Sequence, residues 1–199
     1  MFNLDNIKTL YQNVYGLSQE VLDENKDYYS NFDFFCAAET WLVDESPELF
    51  LDGFHSIPYH RPDKHVNARR GSGGMYVFIR KSILKGVKIL HNHKDLIAWF
   101  RFNKSFFGLK KDLYIATCYV APPDSPHLAI DSFGIIQNDI TKLPDGSKYL
   151  LLLDCNAHTN ICNDFICDVP GDDCGLSDLT GNDCYISLPN SVKKGYLVI

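Results

Sequence analysis

The sequence lacks any long apolar run. Its longest, Tyr149–Leu153, is the length of a strand and far short of the roughly 20 residues that span a bilayer, so no membrane partner is expected. Met1–Leu10 has no basic stretch followed by an apolar one and does not read as a signal peptide. No internal repeat and no low-complexity linker occurs, and 199 residues suit one domain over 1–199. A basic excess is missing too. Lys and Arg number 19 against 25 Asp and Glu, a net charge of −6. Nucleic acid could then be bound only through a local basic face, while an acidic total fits carboxylates gathered around a metal. A regular cysteine framework is also absent. The seven Cys are odd in number and no C-x₂-C occurs, so they read as reduced thiols in an intracellular protein. Five of them (Cys155, Cys162, Cys167, Cys174 and Cys184) crowd the last third, which leaves a small zinc module as a weaker alternative.

What is present is a globular core: 45% of residues are hydrophobic and 13% aromatic. Ile7–Val14 reads as a first strand. Ser18 offers an N-cap for a helix over Gln19–Tyr29, with Leu22 and Tyr29 inward. Asp33–Ala38 reads as a buried strand, and Ser46-Pro47 predicts one helical turn over Glu48–Leu51. Gly73–Ile79, Val87–Leu90, Leu96–Phe102 and Leu113–Val120 are further strands. In the last of these, alternation puts Ile115, Thr117 and Tyr119 on one face and Ala116, Cys118 and Val120 on the other. Ser125-Pro126 predicts a cap for a helix over Leu128–Leu143, whose apolar stripe is Ile130, Phe133, Ile136 or Gln137, and Ile140. Tyr149–Leu153 is a buried strand that runs into Asp154. Tyr185–Leu188 and Tyr196–Ile199 are short strand candidates, and the apolar end leads us to expect a domain that lacks its C-terminal part.

Two acids stand at the ends of buried strands: Glu39 after Asp33–Ala38, and Asp154 after Tyr149–Leu153. Asn156 lies two residues beyond Asp154, and Asn13 sits near the end of the first strand. Ligand and catalytic groups gather at strand ends in layered α/β folds. Mg²⁺ prefers oxygen donors and keeps several waters, so one or two carboxylates suffice to hold it. A phosphodiester needs such charge, with neutral donors such as Asn and Tyr, to stabilise its oxygens during displacement. The competing reading is structural. Acids and amides at strand ends also form turns and caps, and Tyr119 fits a core aromatic. Trp41 and Leu42 fit packing residues, and Gly73-Gly74 fits a bulge at the start of a strand.

The ordered segments Gln12-Asn13-Val14-Tyr15-Gly16-Leu17, Glu39-Thr40-Trp41-Leu42, Ser72-Gly73-Gly74, Cys118-Tyr119-Val120-Ala121-Pro122 and Asp154-Cys155-Asn156-Ala157-His158 resemble the endonuclease/exonuclease/phosphatase family. The closest flavour is the endonuclease domain of non-LTR retrotransposons. Asp164-Phe165-Ile166 resembles the stretch that follows in those domains. The resemblance implies a two-sheet α/β sandwich with helix-sheet-sheet-helix layers, its C-terminal strands incomplete here. It implies Mg²⁺-dependent hydrolysis of a DNA phosphodiester, with Mn²⁺ as a substitute ion. Glu39 and Asn13 would be metal-side residues. Tyr119 would donate to a phosphate oxygen, and Asn156 would hold the scissile phosphate. Asp154 would orient or activate the attacking water, or protonate the leaving oxygen. Arg69 and Arg70 belong to a basic strip with His60, Arg61, Lys64 and His65, in a loop that borders the substrate groove in the family. Arg80, Lys81, Lys85 and Lys88 continue it. The resemblance also implies fusion to a reverse transcriptase in a longer element, and a nuclear location if the target is chromosomal DNA.

Departures from the pattern set rival readings beside this one. Leu153 stands where the family has Gly, with backbone crowding expected, and Cys155 replaces an aromatic. No Ser-Asp-His occurs; the only Ser-Asp, Ser177-Asp178, runs into Leu179. A catalytically inactive truncated remnant is therefore the first rival. A related lipid or inositol phosphoesterase is the second, and the Glu39–Leu42 and Tyr119–Pro123 text sits further from it. The sequence leaves oligomeric state open.

Overall fold

A computed structural model describes residues 7–61, 70–93, 96–121, 125, 131–154 and 197–198. The first half forms a four-stranded sheet from β1 (Thr9–Asn13), β2 (Phe34–Ala38), β3 (Phe54–Tyr59) and β4 (Met75–Arg80), in the order β1-β2-β4-β3. The second sheet runs β5-β6-β7-β8-β9, from β5 (Val87–Asn92), β6 (Ile97–Phe102), β7 (Leu113–Tyr119), β8 (Lys148–Asp154) and the two-residue β9 (Leu197–Val198). Both sheets are mixed. Each holds one parallel pair, β1/β2 and β7/β8, and its other pairings are antiparallel.

Period-2 alternation explains how the sheets stack. Phe34, Cys36 and Ala38 of β2 join Val77 and Ile79 of β4 in one cluster, which also takes Ala98, Phe100 and Phe102 of β6 and Ile115 of β7. That cluster is the filling between the sheets. Phe35 and Ala37 face the other way, with Tyr76 and Phe78, against Leu22 and Tyr29. Those two residues come from α1 (Gln19–Glu24) and α2 (Lys26–Tyr29). Ala116, Cys118, Leu151 and Leu153 form the outer face of the second sheet with Ile136 of α4 (Ser132–Thr141). The layers are thus helix, sheet, sheet, helix, as expected. The central strands are apolar on both faces because both faces are covered. α3 (Lys104–Phe107) sends Phe107 into the inner cluster beside Phe102.

The structure corrects several expectations. The helix expected over Gln19–Tyr29 is two short helices that meet at Asn25, whose side-chain amide donates to the Val21 carbonyl at 2.9 Å. Such local side-chain bonding competes with helix continuation. Ser18 does cap α1, its hydroxyl accepting from the Val21 N–H. Glu48–Leu51 is not helical. Its backbone is used elsewhere: the Leu49 N–H donates to the Tyr76 hydroxyl at 3.1 Å and the Phe50 N–H to Gln19 Oε1 at 2.9 Å. β3 went unread because Pro58 interrupts the run; Pro is tolerated there since β3 is an edge strand. α4 is capped by Asp131, and Phe133 is 58% exposed rather than part of the inward stripe. Leu128–Ile130 and Tyr185–Leu188 lie outside the described residues.

Asp139 ties α4 to the second sheet. Its carboxylate is fully buried and accepts from Trp99 Nε1 at 3.1 Å, while His93 Nε2 lies at 3.0 Å and Lys142 Nζ at 3.3 Å. Asp139→Ala leaves a buried indole N–H without an acceptor, so a loss of about 3 kcal/mol is expected in urea unfolding. Asp139→Asn, which keeps an acceptor for Trp99, is expected to lose less.

Candidate functional site

The register decides which side chains reach the space between the sheets. Residues paired across a ladder share a face. Asn13 pairs with Ala38, an inward residue, so Asn13 points inward at the end of β1. Tyr119 belongs to the inner cluster and pairs with Asp154, which places Asp154 on the same side at the end of β8. Three groups from both sheets thus meet at the carboxyl ends of the two parallel pairs, where layered α/β folds place their ligands.

Glu39 needs a different device. It follows Ala38, so regular alternation would turn it outward. Instead its φ is +54°, in the left-handed region. Hydrogen bonds on both sides impose this turn. The Gly16 N–H donates to the Glu39 carbonyl at 2.8 Å, and the Leu17 N–H to the Thr40 carbonyl at 3.0 Å. From the other side, the Trp41 N–H donates to the Gly73 carbonyl at 2.9 Å. Strain of about 1–3 kcal/mol per such residue persists only where the surroundings over-determine it. The result brings the carboxylate inward, where Tyr119 Oη lies 3.4 Å from Glu39 Oε1.

Asn13 Nδ2 donates to Asp154 Oδ2 at 3.1 Å, so the two sheets are joined there by a side-chain bond. Tyr11 makes a second link, its hydroxyl donating to the Cys118 carbonyl at 2.7 Å. Burial pushes the Tyr119 hydroxyl well above the ordinary phenol value; the Glu39 charge pushes the same way, Arg61 opposes, and Asp154 adds to the rise. Tyr119 is therefore a protonated donor at any working pH. Burial, the Cys36 and Cys118 thiols and Asp154 hold Tyr11 high in the same way.

Arg61 is the residue that sequence reasoning placed only in a basic loop. It is 5% exposed, and its Nη1 donates to Ser72 Oγ at 3.0 Å. A Cβ at Gly73 would lie 2.9 Å from Arg61 Cζ and 3.0 Å from Tyr119 Cε1, so the guanidinium and the phenol both pack on that glycine. Gly73-Gly74 precedes β4 with φ of +63° and +77°, as a bulge at a strand start would. No signal in the sequence separates Arg61 from its neighbours; only its burial does. Arg70 lies over Trp41, its Cζ 3.4 Å from the ring centroid. Leu153 packs in the outer cluster, which removes the crowding expected of it. Asn156, Arg69, Lys64, His65 and the five late cysteines lie outside the described residues.

His60, next to Arg61, has a buried Nδ1 without a hydrogen-bond partner. Burial lowers its imidazole from the ordinary value of 6.5, against a weaker upward pull from Asp44. As pH falls, the unfolded chain takes up this proton before the folded one does. Stability is therefore expected to fall as pH drops through about 6.5. His60→Gln is expected to flatten that part of the urea-midpoint profile.

The oxygens that meet here are those of the Glu39 and Asp154 carboxylates and the Tyr119 hydroxyl, while Asn13 turns its Nδ2 to Asp154 and its Oδ1 to the Tyr15 N–H. Tyr119 links the two carboxylates: its hydroxyl reaches Glu39 at 3.4 Å, and it pairs with Asp154 across β7 and β8. A hard divalent cation that keeps several waters fits such a set. Among the described residues no group of three or more His, Cys, Asp and Glu is placed to hold a metal, and the five late cysteines of the zinc alternative lie outside them.

No family model and no curated protein matches the chain. Solved structures do. The catalytic domain of Xenopus laevis APE2 superposes with a TM-score of 0.52 at 16% identity, over 76% of this chain and 59% of that one. An AP endonuclease from Leishmania major gives 0.48 at 16% identity, over 74% and 54%. An endonuclease/exonuclease/phosphatase family protein from Leptotrichia buccalis gives 0.45 at 14% identity, over 75% and 66%. The chain spans 54% to 66% of the length of these structures. No helix among the described residues is long and apolar enough to cross a membrane. With two mixed sheets face to face, helices outside both, and the overlap with the APE2 domain, the chain has the endonuclease/exonuclease/phosphatase fold.

Proposed function

We propose that this chain is a Mg²⁺-dependent phosphodiesterase that nicks DNA, of the non-LTR retrotransposon type. One observation carries the reading: Asn13, Glu39, Tyr119 and Asp154, from the ends of four strands in two sheets, meet through the 3.1 Å Asn13–Asp154 and 3.4 Å Tyr119–Glu39 contacts. Glu39, with Asn13 beside it, would hold the cation, Mg²⁺ or Mn²⁺, which supplies positive charge against the phosphate oxygens.

The chain's own groups do the rest. Tyr119, locked in its protonated form, donates to a phosphate oxygen as negative charge builds there. Buried Arg61, which packs on Gly73 as the phenol does, adds fixed positive charge near Tyr119. Asn13 engages Asp154 Oδ2, which orients the carboxylate so that it can take a proton from the attacking water or give one to the leaving oxygen. Asn156 would hold the scissile phosphate, and Arg69 and Arg70 would meet the DNA backbone. The retrotransposon reading, its reverse transcriptase fusion and a nuclear site of action rest on the sequence resemblance. The test is nicking of supercoiled plasmid by the purified chain in Mg²⁺, with EDTA and Glu39→Ala as controls. Nicking that needs both the ion and Glu39 is the expected result. No nicking, or equal nicking by Glu39→Ala, would leave a protein with the nuclease fold and without the reaction.

A further inference from the structure

We propose that Tyr15, Trp41 and Arg70 form a subsite for an unstacked nucleotide next to the cleaved phosphodiester, with Tyr15 under its base and Arg70 on its phosphate. The proposal rests on the nuclease reading above and adds to it a preference for distorted or single-stranded DNA.

The argument starts from the backbone. Among the described residues, three non-glycine residues have positive φ: Tyr15 at +52°, Glu39 at +54° and Trp41 at +60°. Glu39 is the site's own acid. The other two are bulky aromatics, for which this conformation is a genuine outlier. Such strain is retained where it aims a side chain. Both aromatics adjoin the site. The Tyr15 N–H donates to Asn13 Oδ1 at 3.2 Å, so the same amide that engages Asp154 also sets the Tyr15 backbone. Trp41 lies two residues past Glu39.

The rings form an edge-to-face pair, with centroids 6.3 Å apart and planes at 72°. Trp41 is wedged between two glycines. A Cβ at Gly16 would stand 2.6 Å from its Cε3, and one at Gly71 would stand 2.5 Å from its carbonyl oxygen. Arg70, the residue before Gly71, lies over the Trp41 ring at 3.4 Å. At that distance the guanidinium carbon is in contact with the ring face. An arginine held on a ring has less freedom to lose when ligand arrives, and its fork matches a phosphate. Tyr15 is the outer member, 47% exposed. An aromatic ring beside a cation, close in the chain to site residues Asn13 and Glu39, is an arrangement by which proteins take an unpaired base and its phosphate. A base inside a duplex is already stacked on both faces, so Tyr15 can engage only one that has left the stack.

The test is binding of the full chain, in EDTA, to two fluorescently labelled probes followed by anisotropy. One probe is single-stranded oligothymidylate; the other is a strand of equal length made of base-less tetrahydrofuran phosphate units. Tyr15→Leu is expected to weaken oligothymidylate binding about tenfold and to leave base-less binding unchanged. Tyr15→Phe, which keeps a ring at the same backbone cost, is expected to stay within about twofold of wild type on both. Arg70→Ala is expected to weaken both probes alike and to reduce the salt slope by about one. Urea midpoints report whether each variant is folded. No loss in Tyr15→Leu, or an equal loss on both probes, overturns the subsite. If that happens while the wild type still nicks plasmid with Glu39, only the subsite fails. If the wild type binds neither probe and does not nick, the nuclease reading fails with it.

Discussion

Glu39→Gln is expected to lower plasmid nicking by at least about 10³-fold while leaving the fold intact. The change is isosteric, and the amide oxygen can still accept from Tyr119, so the 3.4 Å contact has no reason to break. What disappears is the charge that would hold the cation, and with it several kcal/mol of stabilisation for the developing phosphate charge. The same substitution breaks no contact that holds the fold, because the amide keeps the shape of the carboxylate and an acceptor for Tyr119. The urea midpoint is therefore expected to stay close to that of wild type. An enzyme that loses its activity and keeps its stability shows a residue selected for chemistry rather than packing. If Glu39→Gln instead unfolds the protein, Glu39 is a structural member of the Gly16–Gly73 clamp. If it nicks normally, the site lies elsewhere.

Gly73→Ala is the second large effect, and Gly53→Ala is its control. Both glycines have positive φ, +63° and +80°, so both substitutions carry the backbone penalty of about 1 kcal/mol. They differ in surroundings. Nothing lies within 4 Å of a Cβ at Gly53, whereas at Gly73 the new carbon would sit 2.9 Å from Arg61 Cζ and Nη2 and 3.0 Å from Tyr119 Cε1. Arg61 is buried and bonded to Ser72, so it cannot swing into solvent without losing that bond. Overpacking a fixed environment typically costs a further 1–3 kcal/mol. A total loss of about 2–4 kcal/mol in urea unfolding is therefore expected for Gly73→Ala, against about 1 for Gly53→Ala. Nicking is expected to fall as well in Gly73→Ala, because the displaced phenol leaves Glu39. Equal destabilisation by the two substitutions would mean that Arg61 and Tyr119 do not pack on Gly73 in solution.

These two residues also show where reading the chain succeeds and where it stops. Glu39 could be found because an acid directly after a buried strand is a local pattern. Asp154 was visible for the same reason, and Asn13 and Tyr119 through the motif text around them. The alternation of β7 was readable as well, since Ile115 and Tyr119 do face the inner cluster and Ala116, Cys118 and Val120 the outer one. Arg61 and Gly73 were not found as a pair. Their contact joins the ends of β3 and β4, and β3 itself was hidden by Pro58, which weakens a strand pattern unless the strand is known to lie at an edge. Tyr15 and Trp41 were legible as motif letters, but their left-handed backbone was not, because nothing in an aromatic residue announces it.

Composition and pattern alone determined that this chain builds one apolar core, in which strands covered on both faces alternate with helices and end in oxygen-bearing side chains. Those are properties of neighbouring residues, and local chemistry is enough to set them. Only the tertiary structure decided that Asn13 meets Asp154 across two sheets, that Glu39 turns inward rather than outward, and that Arg61 is buried. Each of these depends on residues 11 to 141 positions apart being pressed together, through hydrogen bonds that no short stretch of sequence contains.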